Sequence, residues 1–368
     1  MSEGAHVDVP LVEPVISDAA KQRVREVLDA GDLAAGEVVR AFEREFADYV
    51  GTEYAVATTN GTTALHAAMA GLGLGAGDTV VTTPFSFVAT ANAVRLAGAE
   101  PVFADVTVTT ANINPLAVER AIADRDGDVD AILPVHLYGC PAEMDALRDI
   151  ADDHGVPIVE DAAQAHGAEY DGESVGALGD VGCFSFYPTK NMTTGEGGMV
   201  VTDRADVAER VRSFVNHGRA PDDGNRHERV GHNFRMPNTA AAIGRVQLQR
   251  LPSFVRSRRE HAAVLTDALA DTDVRTPAEP AGTRHAYHQY TVRTDDRDEL
   301  AAALDEFGVG TGVYYPAAIH QQPAYDDVTA TAPVAEALAE QVLSLPVHPH
   351  LSGDEVAALR HAIDRVTA

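Results

Sequence analysis

Of the 28 basic residues in this chain, all but two are arginines, and one of the two lysines, Lys190, sits in the glycine-punctuated stretch FSFYPTKNMTTGEGGM. Arginine stays protonated at every physiological pH, whereas a desolvated lysine can lose its proton and attack a carbonyl. Lys190 is therefore a candidate for covalent chemistry. The plain alternative is a solvated surface charge, which is the reading for Lys21 in the polar helical run DAAKQRVREVLDA. Other segments carry complementary groups. In TTNGTTALHAAM, the small residues Asn60, Gly61, Thr62 and Thr63 precede a helical run, so free backbone N–H groups and threonine hydroxyls could hold an anion there; ordinary N-capping explains the same residues. VPIVEDAAQAHGA reads as a buried strand ending in Glu160 and Asp161. An acid at that edge can pair with a cationic ring nitrogen, with Gln164 three residues on, or it can cap a helix. Ser185, between Phe184 and Phe186, faces opposite to both in a strand and could donate to a phosphate. Phe87 in TTPFSFVAT could stack on a flat ligand or fill the core.

These residues matter only if the fold brings them together. From about residue 55 to 202, the β-rich runs DTVVTT, AEPVFAD, DAILPV, VPIVED, CFSFY and GGMVVT alternate with helical segments such as FVATANAVRLAG and MDALRDIADDHG. With no two-residue hairpin signal between them, the pattern predicts an α/β fold with a largely parallel sheet covered by helices on both faces. Ligands of such sheets bind beyond the carboxyl ends of the strands, where the candidate residues fall. Anion-binding turn, aromatic, strand-end acid, serine and lysine in that order form the set required by a pyridoxal 5′-phosphate (PLP) site. A helical stretch from Asn238 to about Leu269, interrupted or bent near Pro252, is expected to join two domains, residues 1–250 and 251–368. The second reads as a compact α+β unit: YHQYTVRT, RDELAAALDEFG, GTGVYYP and two terminal helices.

Composition narrows the function classes. The net charge of −28 is spread along the chain rather than gathered in a tail, which argues against nucleic acid as a partner and resembles adaptation to a high-salt interior. Two cysteines, Cys140 and Cys183, without CxxC spacing indicate neither a disulfide framework nor a thiolate metal site, and His348 and His350 lack companions for a metal; none is expected. No basic leader followed by an apolar run and no 18-residue apolar stretch occurs, so the expectation is a cytoplasmic protein without a membrane partner.

The segments GDLAAGEVVRAFEREFADYVG, NGTTALHAAM, PFSFVATANAV, ILPVHLYG, IVEDAAQAHGA, GDVGCFSFYPTKN, TGEGGMVVT, NHGR, GHNFRMPNTAAAIGRVQL and SLPVHP resemble, in order, the DegT/DnrJ/StrS family of nucleotide-sugar aminotransferases, from about Pro14 to the C-terminal region. The resemblance implies an aspartate-aminotransferase-like fold (PLP fold type I), a homodimer with active sites at the subunit interface, and PLP held as a lysine imine. It makes Lys190 the imine lysine, Asp161 the partner of the pyridine nitrogen, Gln164 the residue near the ring hydroxyl and Phe87 the ring-stacking residue. Gly61, Thr62 and Ser185 match the phosphate cradle, and Asn233 resembles a residue reaching that phosphate from the other subunit. Asp32, His217, Tyr315 and His320 lie in segments resembling those near the sugar. Asn60 stands where many relatives have Ser, and Asp32 where many have Trp, departures that touch sugar preference more than cofactor chemistry. The implied reaction moves an amino group from an amino acid, L-glutamate by resemblance, to a nucleotide-linked keto sugar. Two rivals are a sugar dehydratase, which in this family replaces the lysine with histidine, and a non-enzymatic regulatory or sensing protein on the same fold.

Overall fold

A computed structural model describes residues 7–220 and 225–367. Seven strands form one sheet: β1 (Tyr54–Thr58), β2 (Thr79–Thr82), β3 (Glu100–Phe103), β4 (Ala131–Leu133), β5 (Val159–Asp161), β6 (Val181–Ser185) and β7 (Gly198–Thr202). Their spatial order is β3-β2-β4-β5-β6-β7-β1, with β4 and β5 joined by the parallel bridges Ile132 to Ile158 and Val135 to Asp161. Only β7 runs antiparallel to its neighbours. The expected α/β class with a mostly parallel sheet is what the chain adopts. The one reversal follows from the short return between β6 and β7, which carries Lys190 and turns back at the sheet's carboxyl edge without a crossover helix.

Helices α1 (Asp18–Ala30), α2 (Glu37–Val50), α3 (Gly61–Leu72), α4 (Ala89–Ala97), α5 (Pro115–Ala123), α6 (Met144–His154) and α7 (Ala205–Val215) surround this sheet. Two apolar clusters lie on its two faces. One gathers Phe42, Phe46, Ile132, Leu147, Phe184 and Phe186; the other gathers Leu65, Met69, Val80, Leu133, Val159 and Val211. Strands buried on both sides read as continuous apolar runs, which is why DAILPV and VPIVED are legible as strands.

Helix α8 (Asn238–Ala268) runs unbroken through Pro252, where an interruption or bend is expected from the sequence. Pro252 is exposed, so its ring sits on the solvent face of the helix and displaces nothing in the core. The helix packs Leu248, Leu251 and Val255 into the first cluster and Ala262 and Leu265 into a separate one. That separate core is built on the antiparallel pair β8 (Tyr290–Arg293) and β9 (Val342–Leu345), with helices α9 (Arg297–Asp305), α10 (Pro333–Gln341) and α11 (Gly353–Val366) near it in sequence. Val9 joins this core through a parallel bridge to Val309, so the first described residues pack with the last hundred. Among the described residues no helix is long and apolar enough to cross a membrane.

The two acids ending β5 go to opposite faces, as the period of a strand requires. Glu160 is fully buried and accepts from the backbone N–H groups of Gly176, Leu178 and Gly179, each at 2.7 Å. Its fourth partner is His136 Nε2 at 2.8 Å; because His136 Nδ1 accepts from Ala142 N, the ring proton sits on Nε2 and is donated to the carboxylate. Replacing Glu160 by Gln puts an amide NH2 against donors. The Glu160→Gln variant is expected to lose about 2–4 kcal/mol of stability, read as a lower denaturant midpoint, with its far-ultraviolet circular dichroism unchanged.

Candidate functional site

Asp161 faces the opposite way from Glu160, into a cavity of about 870 Å³ at the carboxyl edge of the sheet. Its side chain is only 5% exposed. Oδ2 accepts from Thr90 Oγ1 at 2.8 Å and Oδ1 from Ala163 N at 3.1 Å, so the carboxylate is held from two sides. Burial pushes its pKa up, and the two hydrogen bonds and the nearby Lys190 charge oppose that rise. Thr90 is a site residue that sequence reasoning missed. Its signal was its place in the first turn of α4, three residues after Phe87 at a strand end.

Lys190 lines the same cavity from the β6–β7 return. Among the described residues its Nζ has no hydrogen-bond partner and no carboxylate within ion-pair distance; only its backbone N–H is engaged, donating to Tyr187 O at 2.9 Å. Burial pulls its pKa down to about 8, an effect that the Asp161 charge partly offsets. A neutral amine is thus accessible near neutral pH, with a buried acid across the cavity.

An anion cradle borders them. Asn60 caps α3: its Oδ1 accepts from Thr63 N at 2.9 Å and its own N–H donates to Thr63 Oγ1 at 3.1 Å. That cap leaves the N–H groups of Gly61 and Thr62 free at the positive end of the helix. Ser185, at the end of β6, packs directly on Gly61; a Cβ there would come within 2.7 Å of the serine Cβ. The glycine is therefore required by contact with the neighbouring strand. Capping and anion binding, alternatives at the level of sequence, are both served, because Asn60 does the first and the next two residues remain for the second.

Phe87 is 56% exposed with its side chain lining the cavity, as a ring-stacking role requires and a core role forbids. It stands beside Tyr315 with ring centroids 6.2 Å apart. Gln164 accepts from Tyr138 N through Oε1 at 2.8 Å and donates through Nε2 to Tyr315 Oη at 3.0 Å, so its amide orientation is determined. Tyr138 adopts a positive φ of 58° to present that N–H.

Lys190, Asp161, Gly61, Thr62, Phe87, Gln164, Ser185 and Tyr315 all line this one cavity; Asp32, His217, Asn233 and His320 do not. Asp32 is on the exposed turn between α1 and α2, its carbonyl accepting from Asn238 Nδ2. His217 and Asn233 belong to an outlying segment tied by the antiparallel bridge of Asn216 to Asn233. His320 Nε2 donates to Glu336 Oε1 at 3.0 Å, and the ring packs on Phe103. Its short 3₁₀ turn is drawn inward by the buried neighbour Ile319, which takes the histidine away from the cavity. Among the described residues no three His, Cys, Asp or Glu side chains are grouped as a metal set.

Residues 14–364 match the family described as the DegT/DnrJ/EryC1/StrS aminotransferase family. The chain is 41% identical, over 90% of its length and 89% of the relative's, to a protein named pleiotropic regulatory protein from Geobacillus stearothermophilus. It is 42% identical, over 95% of its length and 93% of the relative's, to the dTDP-3-amino-3,4,6-trideoxy-alpha-D-glucose transaminase of Streptomyces venezuelae. The crystal structure of S. venezuelae DesV in complex with a ketimine intermediate superposes with a TM-score of 0.90 at 41% identity, covering 94% of this chain and 93% of that one.

Two outcomes follow from the site geometry. In the cofactor-free protein, labelling of Lys190 by an amine-selective reagent should rise with pH around a half-point near 8, since the amine is protonated below that pH and free above it; peptide mass spectrometry reads the site. Gly61→Ala should weaken binding of phosphate-bearing ligands by roughly tenfold or more, measured by calorimetry, because the added methyl displaces Ser185 from the cradle.

Proposed function

Because the chain belongs to the DegT/DnrJ/EryC1/StrS aminotransferase family, we propose that it transfers an amino group from an amino acid, L-glutamate, to the keto carbon of a nucleotide-linked sugar, with PLP as its cofactor. The observation that carries this reading is the pairing of an unpartnered amine, Lys190, with a buried, doubly held Asp161 beside an open helix N-terminus.

The residues fit PLP group by group. The N–H groups of Gly61 and Thr62 and the hydroxyl of Ser185 suit its phosphate. Asp161 suits its ring nitrogen, Phe87 one face of its ring and Gln164 its hydroxyl. When bound, the cofactor supplies an aldehyde carbon conjugated to a ring that accepts electrons. The chain's part is to manage protons. Asp161 keeps a proton on the ring nitrogen, and Thr90 and Ala163 N–H keep Asp161 aimed there. Lys190 Nζ, half neutral at pH 8, would serve as the base for the proton on the donor's α-carbon and, in the second half-reaction, as the acid that gives a proton back. Phe87 and Tyr315 cover the ring and exclude water from the amine.

A second copy of the chain completes the site in this reading. Support comes from Asn233, which is exposed and outside the cavity of its own chain, as a residue donated to a partner would be. Asp32 and His217, both away from that cavity, are assigned to the sugar side of the same shared interface. The relative named as a transaminase acts on a dTDP-linked sugar, which supports a nucleotide sugar as acceptor. The product class proposed for this chain is an amino sugar for glycan or polysaccharide assembly. The acidic surface fits work in a salty cytoplasm.

The test reconstitutes the protein with PLP and follows its absorbance. A band near the visible edge that bleaches on adding glutamate and returns on adding one of a panel of UDP-, GDP- and dTDP-keto sugars supports the reading. Absence of the band would sink it and favour a regulatory role. Lys190→Arg should fold normally yet lack the band and lose turnover by at least about a thousandfold, because a guanidinium is not a usable nucleophile or base at neutral pH.

A further inference from the structure

The cavity is lined by a second cation, a residue the proposed chemistry leaves idle. Arg258 lies on the buried stripe of α8, three or four residues from Phe254, Val255 and Ala262 and seven from Leu251 and Leu265, and is 5% exposed. Its Nη1 donates to Tyr287 O and His288 O, both at 3.0 Å. Nε is buried without an acceptor, and Nη2 has none among the described residues. Among the described residues no carboxylate balances it, and burial alone pulls its pKa down to about 9. Three more buried polar atoms lining the cavity, His288 Nδ1, Gln289 Oε1 and His348 Nδ1, lack partners among the described residues. All four side chains line the cavity that holds Lys190 and Asp161.

A guanidinium taken out of water without a counterion is costly, and the cost is relieved when an anion enters. With Nη1 occupied by two carbonyls, the edge left over is Nε with Nη2. That edge binds a carboxylate side-on through two parallel N–H···O bonds. Arg258 and Lys190 also border a second small cavity together, and His288 lies in the field of both charges, so the two cationic groups belong to one neighbourhood. An amino acid must bring its α-carbon to the lysine, and its carboxylate is one bond away. A diphosphate would have to carry its nucleoside into this buried corner.

We propose that Arg258 binds the α-carboxylate of the amino-acid donor, with His288 and Gln289 completing the pocket, so that it sets donor class and orients the α-carbon toward Lys190. This rests on the aminotransferase reading above. The experiment titrates holoenzyme with L-glutamate and with 4-aminobutyrate, an amine that lacks the α-carboxylate, following cofactor absorbance. Succinate binding to the cofactor-free protein is measured by calorimetry in parallel. In Arg258→Gln, glutamate affinity should fall roughly 30-fold or more, 4-aminobutyrate should change less than about threefold, and the succinate signal should disappear. Arg258→Lys, which keeps the charge but not the two-pronged edge, should fall between; it also serves if the glutamine variant does not fold. Glutamate affinity within about threefold of wild type, with the band intact, overturns the proposal, as does a loss confined to the nucleotide-sugar substrate. If wild type shows no cofactor band, the aminotransferase reading has failed instead, and the succinate measurement still decides whether Arg258 is a carboxylate site.

Discussion

The site depends on holding an amine and a carboxylate in one buried space while keeping them from forming an ion pair. Had Lys190 and Asp161 closed to contact, the lysine would stay protonated and the space between them would vanish. Thr90 and the Ala163 N–H fasten the carboxylate from its own side, and the β6–β7 return carries the lysine separately. Desolvation then outweighs their mutual attraction, lowering the amine's pKa and raising the acid's. The gap that remains is the binding site.

The rest of the large sheet serves that gap. Four groups arrive from different strand ends: the α3 N-terminus after β1, Phe87 after β2, Asp161 on β5 and Ser185 on β6. Parallel strands place all their carboxyl ends at one edge, so groups far apart in sequence converge without any of them being locally unusual. The antiparallel β7 makes the lysine's return short and leaves it half-buried. Where the acidic exterior presents one kind of charge almost everywhere, the cavity brings two cations, Lys190 and Arg258, into one neighbourhood.

Much of this was legible in the sequence because it rests on local pattern. Strand runs buried on both faces, an Asn-Gly-Thr-Thr helix start and an acid at a strand end are readable one segment at a time. What was not legible depends on contacts between segments. Asn60 performing the cap so that Gly61 and Thr62 remain free is visible only with side-chain partners known. His320 is turned inward by Ile319 beside it, a packing choice that residue types alone do not decide. Pro252 passes through α8 because it happens to face solvent. Arg258 left a trace that was there to be seen, a charged residue on an otherwise apolar helical stripe, but its meaning required knowing that no acid among the described residues meets it.

The adjacency of Glu160 and Asp161 has a consequence for how the chain finds its fold. A strand that slips by one residue exchanges its two faces, and here the slip would exchange two acids of similar chemistry, so hydrophobic patterning alone distinguishes the registers poorly at this end. The backbone N–H groups of Gly176, Leu178 and Gly179 supply the missing discrimination. In the shifted register a shorter side chain would have to reach all three, and buried donors would go unpaired. The buried loop thereby acts as a register lock, and the residue that never touches the ligand specifies which of two neighbouring carboxylates will.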